Sequence, residues 1–191
     1  MNPYLAGLLA LAIGGAASAD EIALPCQQHF ADSLAPATYW EDAAQLEHLP
    51  DWHKDKKITA LVGKLAPRDV PEDDAVKQLA VFRKAPHGKQ TLPMLFTGLV
   101  EETDRQRSDV IGRIRDMAER QINLSGTIQK ANDELRATPE SESAKRDEIL
   151  QRRGYLQRDY DGLDRTLRYA CQIPVDMEAR LGAFARALQD Q

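Results

Sequence analysis

From about Leu92 to Arg136, apolar side chains fall on two lines that each repeat every seven residues. Phe96, Val110, Met117, Leu124 and Ala131 make one line, and Val100, Ile114, Ile128 and Leu135 the other. Thr103, Arg107 and Gln121 are the polar members of those lines. A mean spacing of about 3.5 residues, sustained over several heptads, is the pattern of a coiled-coil seam. It predicts one helix, roughly 65 Å long at about 1.5 Å per residue. Pro93 falls in its first turn, where the missing N–H has no helical partner to lose. Ala137-Thr138-Pro139-Glu140 breaks the pattern.

A second helix is predicted from about Ser141 to Ala170, with Ile149, Leu156, Leu163 and Ala170 in its seam beside Tyr160 and Leu167. Arg146 and Arg153 are its polar exceptions. So short a connection makes the two helices antiparallel neighbours, the first projecting past the base of the second to join the rest of the chain. Pro174 then reads as the start of a separate helix, whose Met177, Leu181, Phe184 and Leu188 stripe packs back on the bundle. Its Asp176, Glu178, Arg180 and Arg186 balance in charge, which excludes a basic membrane-surface helix.

The first half is punctuated more closely. Short amphipathic stretches at about 26–34, 38–49, 53–65 and 71–84 are separated by Pro36, Pro50, Pro67 and Pro86-His87-Gly88. No window alternates strictly, as a strand would. The expectation is therefore all-α: a small multi-helix head over 20–90, a coiled-coil-like antiparallel hairpin over 91–172, and a short C-terminal return helix over 173–191. Seven acid-first pairs four residues apart support the hairpin: Glu101–Arg105, Asp109–Arg113, Asp116–Arg120, Glu142–Arg146, Glu148–Arg152, Asp161–Arg165 and Asp164–Arg168. Gly112, Gly126, Gly154 and Gly162 interrupt it, and bends or close helix contacts are expected there.

Charge changes the picture at the N-terminus. Residues 1–19 carry no Asp, Glu, Lys or Arg, and close on Ala17-Ser18-Ala19 before Asp20. This predicts an export leader cleaved near Ala19, too short for a membrane span of roughly 20 apolar residues. Pro25 before Cys26 excludes a lipoprotein acceptor, and no stable span is expected after cleavage. Export places Cys26 and Cys171 where disulfides persist. An intramolecular bond would be worth roughly 5 kcal/mol in the chain-entropy model. An intermolecular one is sterically easy for a cysteine so near the new terminus. The net charge of −5, with both signs interleaved, argues against nucleic acid, which wants a basic stripe.

Candidate chemistry is sparse. The chain has no Gly-x-Ser-x-Gly elbow, phosphate-binding loop, His-Glu-x-x-His or Cys-x-x-Cys, so no catalytic residue, cofactor or metal site is assigned. Glu47, His48, Asp51 and His53 gather around Pro50 and could bind a divalent ion or a ligand, although their spacing matches no helical ligand pair. Asn123-Leu124-Ser125 has the form of a glycosylation sequon but falls mid-helix. Trp40 and Trp52 either anchor a thin head core or form an aromatic contact surface. Arg107, Gln121 and Arg153 either set register within the seam or lie open where the helices splay. The functional expectation is a non-enzymatic periplasmic or secreted protein, adaptor- or chaperone-like. It would bind protein partners of the envelope or outside the cell through hairpin and head, with a homodimer possible through spare seam surface. The alternative is a ligand- or metal-binding bundle with its site near His48 and His53.

Overall fold

The computed structural model describes residues 24–189; the expected leader and its cleavage site lie outside the described residues. All regular structure among them is helical. Asp55 opens helix α1 (Lys56–Leu65) by accepting the amides of Lys57 and Ile58, which satisfies two of the unpaired first-turn donors. Helix α2 (Glu72–Arg83) follows Pro71 and carries Glu72, Asp73 and Asp74 in its first turn, where carboxylates complement the helix dipole. His87 closes its far end, stacking on Phe82 and bonding the Phe82 carbonyl.

The earlier stretches differ from expectation. Residues 26–34 form an irregular strap, and 36–54 folds into three 3-10 turns, Pro36–Thr38, Ala43–Leu46 and Trp52–Lys54. Asp42 and Asp51 accept the amides of Ala44 and His53, so side chains take backbone donors that a helix would need. The apolar groups are also drawn apart, with Cys26 against the hairpin and Trp40 in the head core.

Helices α3 (Thr91–Ala137) and α4 (Ser143–Gln189) form the hairpin, each 47 residues long. At about 1.5 Å per residue each spans roughly 70 Å. Arg146 of α4 donates to the carbonyls of Leu135 and Thr138, so the second helix caps the end of the first. Arg152 likewise reaches across to Glu134. Of the seven anticipated pairs, Asp164–Arg168 forms as an ion pair at 2.5 Å, while Arg105 turns to Glu102 and Asp109.

The chain does not turn back at Pro174. Helix α4 continues unbroken through it, and the return helix expected over 173–191 is the last part of α4. The proline lacks the N–H that would bond the Ala170 carbonyl, a cost of about 3 kcal/mol. Continuing the helix keeps Met177 and Phe184 in phase with Leu163 and Ala170, and Leu181 and Leu188 in phase with Leu167. All four are buried, each worth about 1.5–3 kcal/mol. Burial wins.

These residues complete the head. Leu181, Phe184 and Leu188 pack with Leu95, Phe96, Leu99 and Val100 of α3, Ile58, Val62 and Leu65 of α1, and Leu79 of α2. A second, smaller cluster unites Ile114, Leu167, Ala170 and Cys171, against which Leu24 and Cys26 pack. The disulfide is intramolecular, joining Cys26 to Cys171 with Cα atoms 5.5 Å apart.

Close approach occurs at a different glycine from those anticipated. A Cβ on Gly98 would stand 2.9 Å from both Trp52 Cδ2 and Val62 Cγ2, whereas one on Gly112 or Gly126 would meet nothing within 4 Å. Opposite outcomes are expected in thermal and denaturant melts. Gly126→Ala should stabilise by up to about 1 kcal/mol through helix propensity. Gly98→Ala should destabilise by about 1–3 kcal/mol, the usual cost of overpacking.

Candidate functional site

Three polar members of the seam find partners on the opposite helix. Arg107 Nε donates to Glu178 Oε1 at 2.7 Å, Gln121 Nε2 to Asp164 Oδ1 at 3.3 Å, and Arg153 Nη1 to Asn132 Oδ1 at 3.3 Å. Gln121 and Arg153 are half-buried. Arg107 is 0% exposed. Its Nη2 donates to the Ala31 carbonyl at 2.9 Å, and Asp104 Oδ1 lies 3.6 Å from Nη1. The Phe30 ring centroid lies 5.7 Å from the guanidinium carbon. All three thus bond across the hairpin, and Arg107 is covered where the strap lies on it.

The tryptophans divide. Trp40 is 5% exposed, its ring 5.0 Å from that of Phe96 and its Nε1 donating to Gln45. It belongs to the head core. Trp52 is half-buried, lies on Gly98 and donates to Glu101 Oε2 at 2.7 Å, with His53 stacked on it at 3.8 Å. Asp51 accepts both the ring Nδ1–H and the backbone amide of His53, and these bonds hold its carboxyl below the usual range. His48 has a left-handed backbone, φ 54°, and is exposed. Among the described residues, no three His, Cys, Asp or Glu side chains converge to hold a metal.

Concavities flank the hairpin base. One, about 500 Å³, lies between the strap and α3 and is lined by Phe30, Asp32, Ile111 and Arg115. Another, about 490 Å³, lies between the α1–α2 connection and α4, beside Tyr169, Ile173 and Arg180. Arg180 donates to the Leu65 and Pro67 carbonyls at 2.9 Å each, closing the end of α1. Burial pushes its guanidinium pKa down, against the opposing pull of Glu72 and Asp69.

The distal hairpin is built differently. Leu124, Ile128, Leu156 and Leu163 are only half-buried in its seam, and Ile122 and Tyr155 stand on its surface at 58% and 61% exposure. No helix among the described residues is long and apolar enough to cross a membrane. Comparison with protein families, with curated proteins and with solved structures finds no match for this chain.

Two measurements test the buried centre. Arg107→Ala strands Glu178 and Asp104 and should cost about 3 kcal/mol in denaturant melts, whereas Arg105→Ala, at an exposed pair, should leave the midpoint unchanged. Burial, then the Glu178 carboxylate, raises the Tyr39 phenol above its ordinary 10.0. A raised folded value favours the protonated form. The stability it contributes is thus fully present below pH 10.0 and lost as pH rises through the folded value. Melting temperature should fall across that alkaline window, and Tyr39→Phe should flatten the fall.

Proposed function

We propose that this is a non-enzymatic, exported helical protein, periplasmic or secreted, that binds protein partners of the cell envelope or outside the cell through its hairpin and head. One observation carries the reading. Between Ala118 and Leu163 the two helices bury only the seam between them, which leaves a long rigid arm with apolar side chains such as Ile122 and Tyr155 exposed on its flanks. Surface aromatics and aliphatics on a pre-ordered helix bind at little conformational cost. The disulfide and the lack of a described spanning helix are compatible with this location.

The reading is tested by joining Gln121 to Asp164 through a short Gly-Ser linker, which removes the arm just beyond that rung. The truncated protein should keep the melting behaviour of the head and lose the cross-linked partners that the full chain retains in the envelope fraction. Unchanged cross-linking would make the arm a scaffold only. Small-angle scattering of the full chain should give a maximum dimension of at least about 70 Å; a compact particle would contradict the reading.

A further inference from the structure

The strap over residues 26–34 crosses the hairpin base, and beside the disulfide and the packing of Cys26 and Leu34 it is held by two bonds to its backbone. Its Ala31 carbonyl accepts from Arg107 at 2.9 Å, and its Leu34 amide donates to Asp104 Oδ1 at 3.1 Å. Both bonds involve a charged side chain of α3, which makes them stronger than neutral ones. Neither reads the identity of a strap side chain. Just before them Phe30 lies against the guanidinium and lines the neighbouring groove. Within 24–34 no helix or backbone ladder among the described residues stiffens the strap.

The fit is also incomplete. Arg107 is fully buried, and its Nη1 meets Asp104 Oδ1 only at an ion-pair distance of 3.6 Å, without a hydrogen bond. The cavity of about 500 Å³ beside the strap remains open along Ile111 and Gly112. A buried donor left unsatisfied is costly, so a segment that also fed this N–H would bind more favourably than the strap does.

We propose that Asp104 and Arg107, oriented by Glu178, form a main-chain clamp for a short bent peptide segment bearing an apolar side chain, occupied here by the chain's own strap and gated by the Cys26–Cys171 disulfide. The ligand class follows from the contacts: an aromatic or aliphatic side chain, the next residue's carbonyl for Arg107, and an N–H three residues further on for Asp104. While the disulfide stands, the strap is closed at both ends, by Cys26 and by the buried Trp40. Once it is reduced, the strap is held by the two hydrogen bonds, the Phe30 contact and the packing of Leu24, Cys26 and Leu34.

Opening requires an external dithiol. Its thiolate attacks Sγ of Cys26, the more open of the two cysteines, and Cys171 departs as a thiolate that takes up a proton. The second thiol then attacks the mixed disulfide, releasing Cys26 as a thiol. The dithiol ends as a disulfide, and the chain gains two electrons and two protons. The clamp lies at the hairpin base, apart from the distal arm on which the proposed function rests, so either can fail without the other.

The test uses the full chain carrying Cys26→Ser, Cys171→Ser and Leu34→Pro, the last removing the strap's own donor. The probe is a fluorescent peptide of residues 24–38 with the Cys26→Ser change. Saturable binding is expected, with at least a tenfold loss when the peptide is N-methylated at Leu34 and none to the oxidised wild-type protein. Circular dichroism and amide exchange in α1 check that the variant is folded. A second arm needs no variant: dithiothreitol should speed exchange of the wild-type Leu34 amide at least tenfold while α1 and α2 keep their protection. Equal binding of the N-methylated peptide, binding to the oxidised protein, no binding to the folded variant, or unchanged Leu34 exchange on reduction would each overturn the proposal.

Discussion

Everything in this molecule depends on two equal helices keeping one antiparallel register along their length. The polar rungs record it. Arg107 pairs with Glu178 and Gln121 with Asp164, fourteen residues apart on each helix; Asn132 and Arg153 then lie eleven further along each. A seam of leucine, isoleucine and alanine alone would tolerate a slip of one heptad, because one apolar side chain would replace another of similar size. Such a slip would leave Arg107 charged, buried and without Glu178, which costs several kcal/mol. Buried polar groups in coiled coils are best understood in this way, as specifying one pairing at some expense of stability.

A fixed register gives the arm two different ends. Two helices can bury only the stripe each turns toward the other, and fuller burial needs a third layer. At the base that layer exists: Leu24 and Cys26 of the N-terminal segment pack on the Ile114 and Leu167 cluster, and Arg180 ties the end of α1 to α4. Ile114 and Leu167 are accordingly buried there. Beyond Ala118 Leu124, Ile128 and Leu156 keep an exposed edge although the heptad continues unchanged, and only Ala131 and Ile149 of the distal seam are fully buried among its apolar residues. The difference lies in what covers the seam, not in the seam.

What could be read from the sequence follows the same division. The hairpin and its turn were legible because a seven-residue repeat is local information summed over many turns, whereas the choice between an intramolecular and an intermolecular cysteine bond was left open and only the fold, with Cys26 brought to Cys171, makes it. Pro174 was misread because a local rule about proline was weighed without the phase. Phe184 and Met177 continue the line of Leu163 and Ala170, a signal present in the sequence that favours one continuous helix. The strap and the 3-10 turns had no such sum behind them: a nine-residue window of mixed polarity fits several structures, and Asp42 and Asp51 decide it by capturing amides. Gly98 could not have been found, since its role exists only where Trp52 and Val62, distant in sequence, arrive at its surface. The same holds for Arg146 and Arg152, which look like partners of residues four back and instead cross to α3.

Arg107 joins these separate levels. Its contacts come from α3 itself through Asp104, from α4 through Glu178 and from the strap through Ala31, so one guanidinium reports on register and strap docking together. The coupling has a direction. Glu178 lies in the α4 segment that continues past Pro174, so the charge is compensated only if that helix continues unbroken. A chain that broke at Pro174 would lose the head core and this rung in one step, and the strap would lose its donor with them. The unbroken helix, the buried arginine and the ordered strap are therefore three consequences of one choice at Pro174, and that choice is made by the burial of Leu181, Phe184 and Leu188.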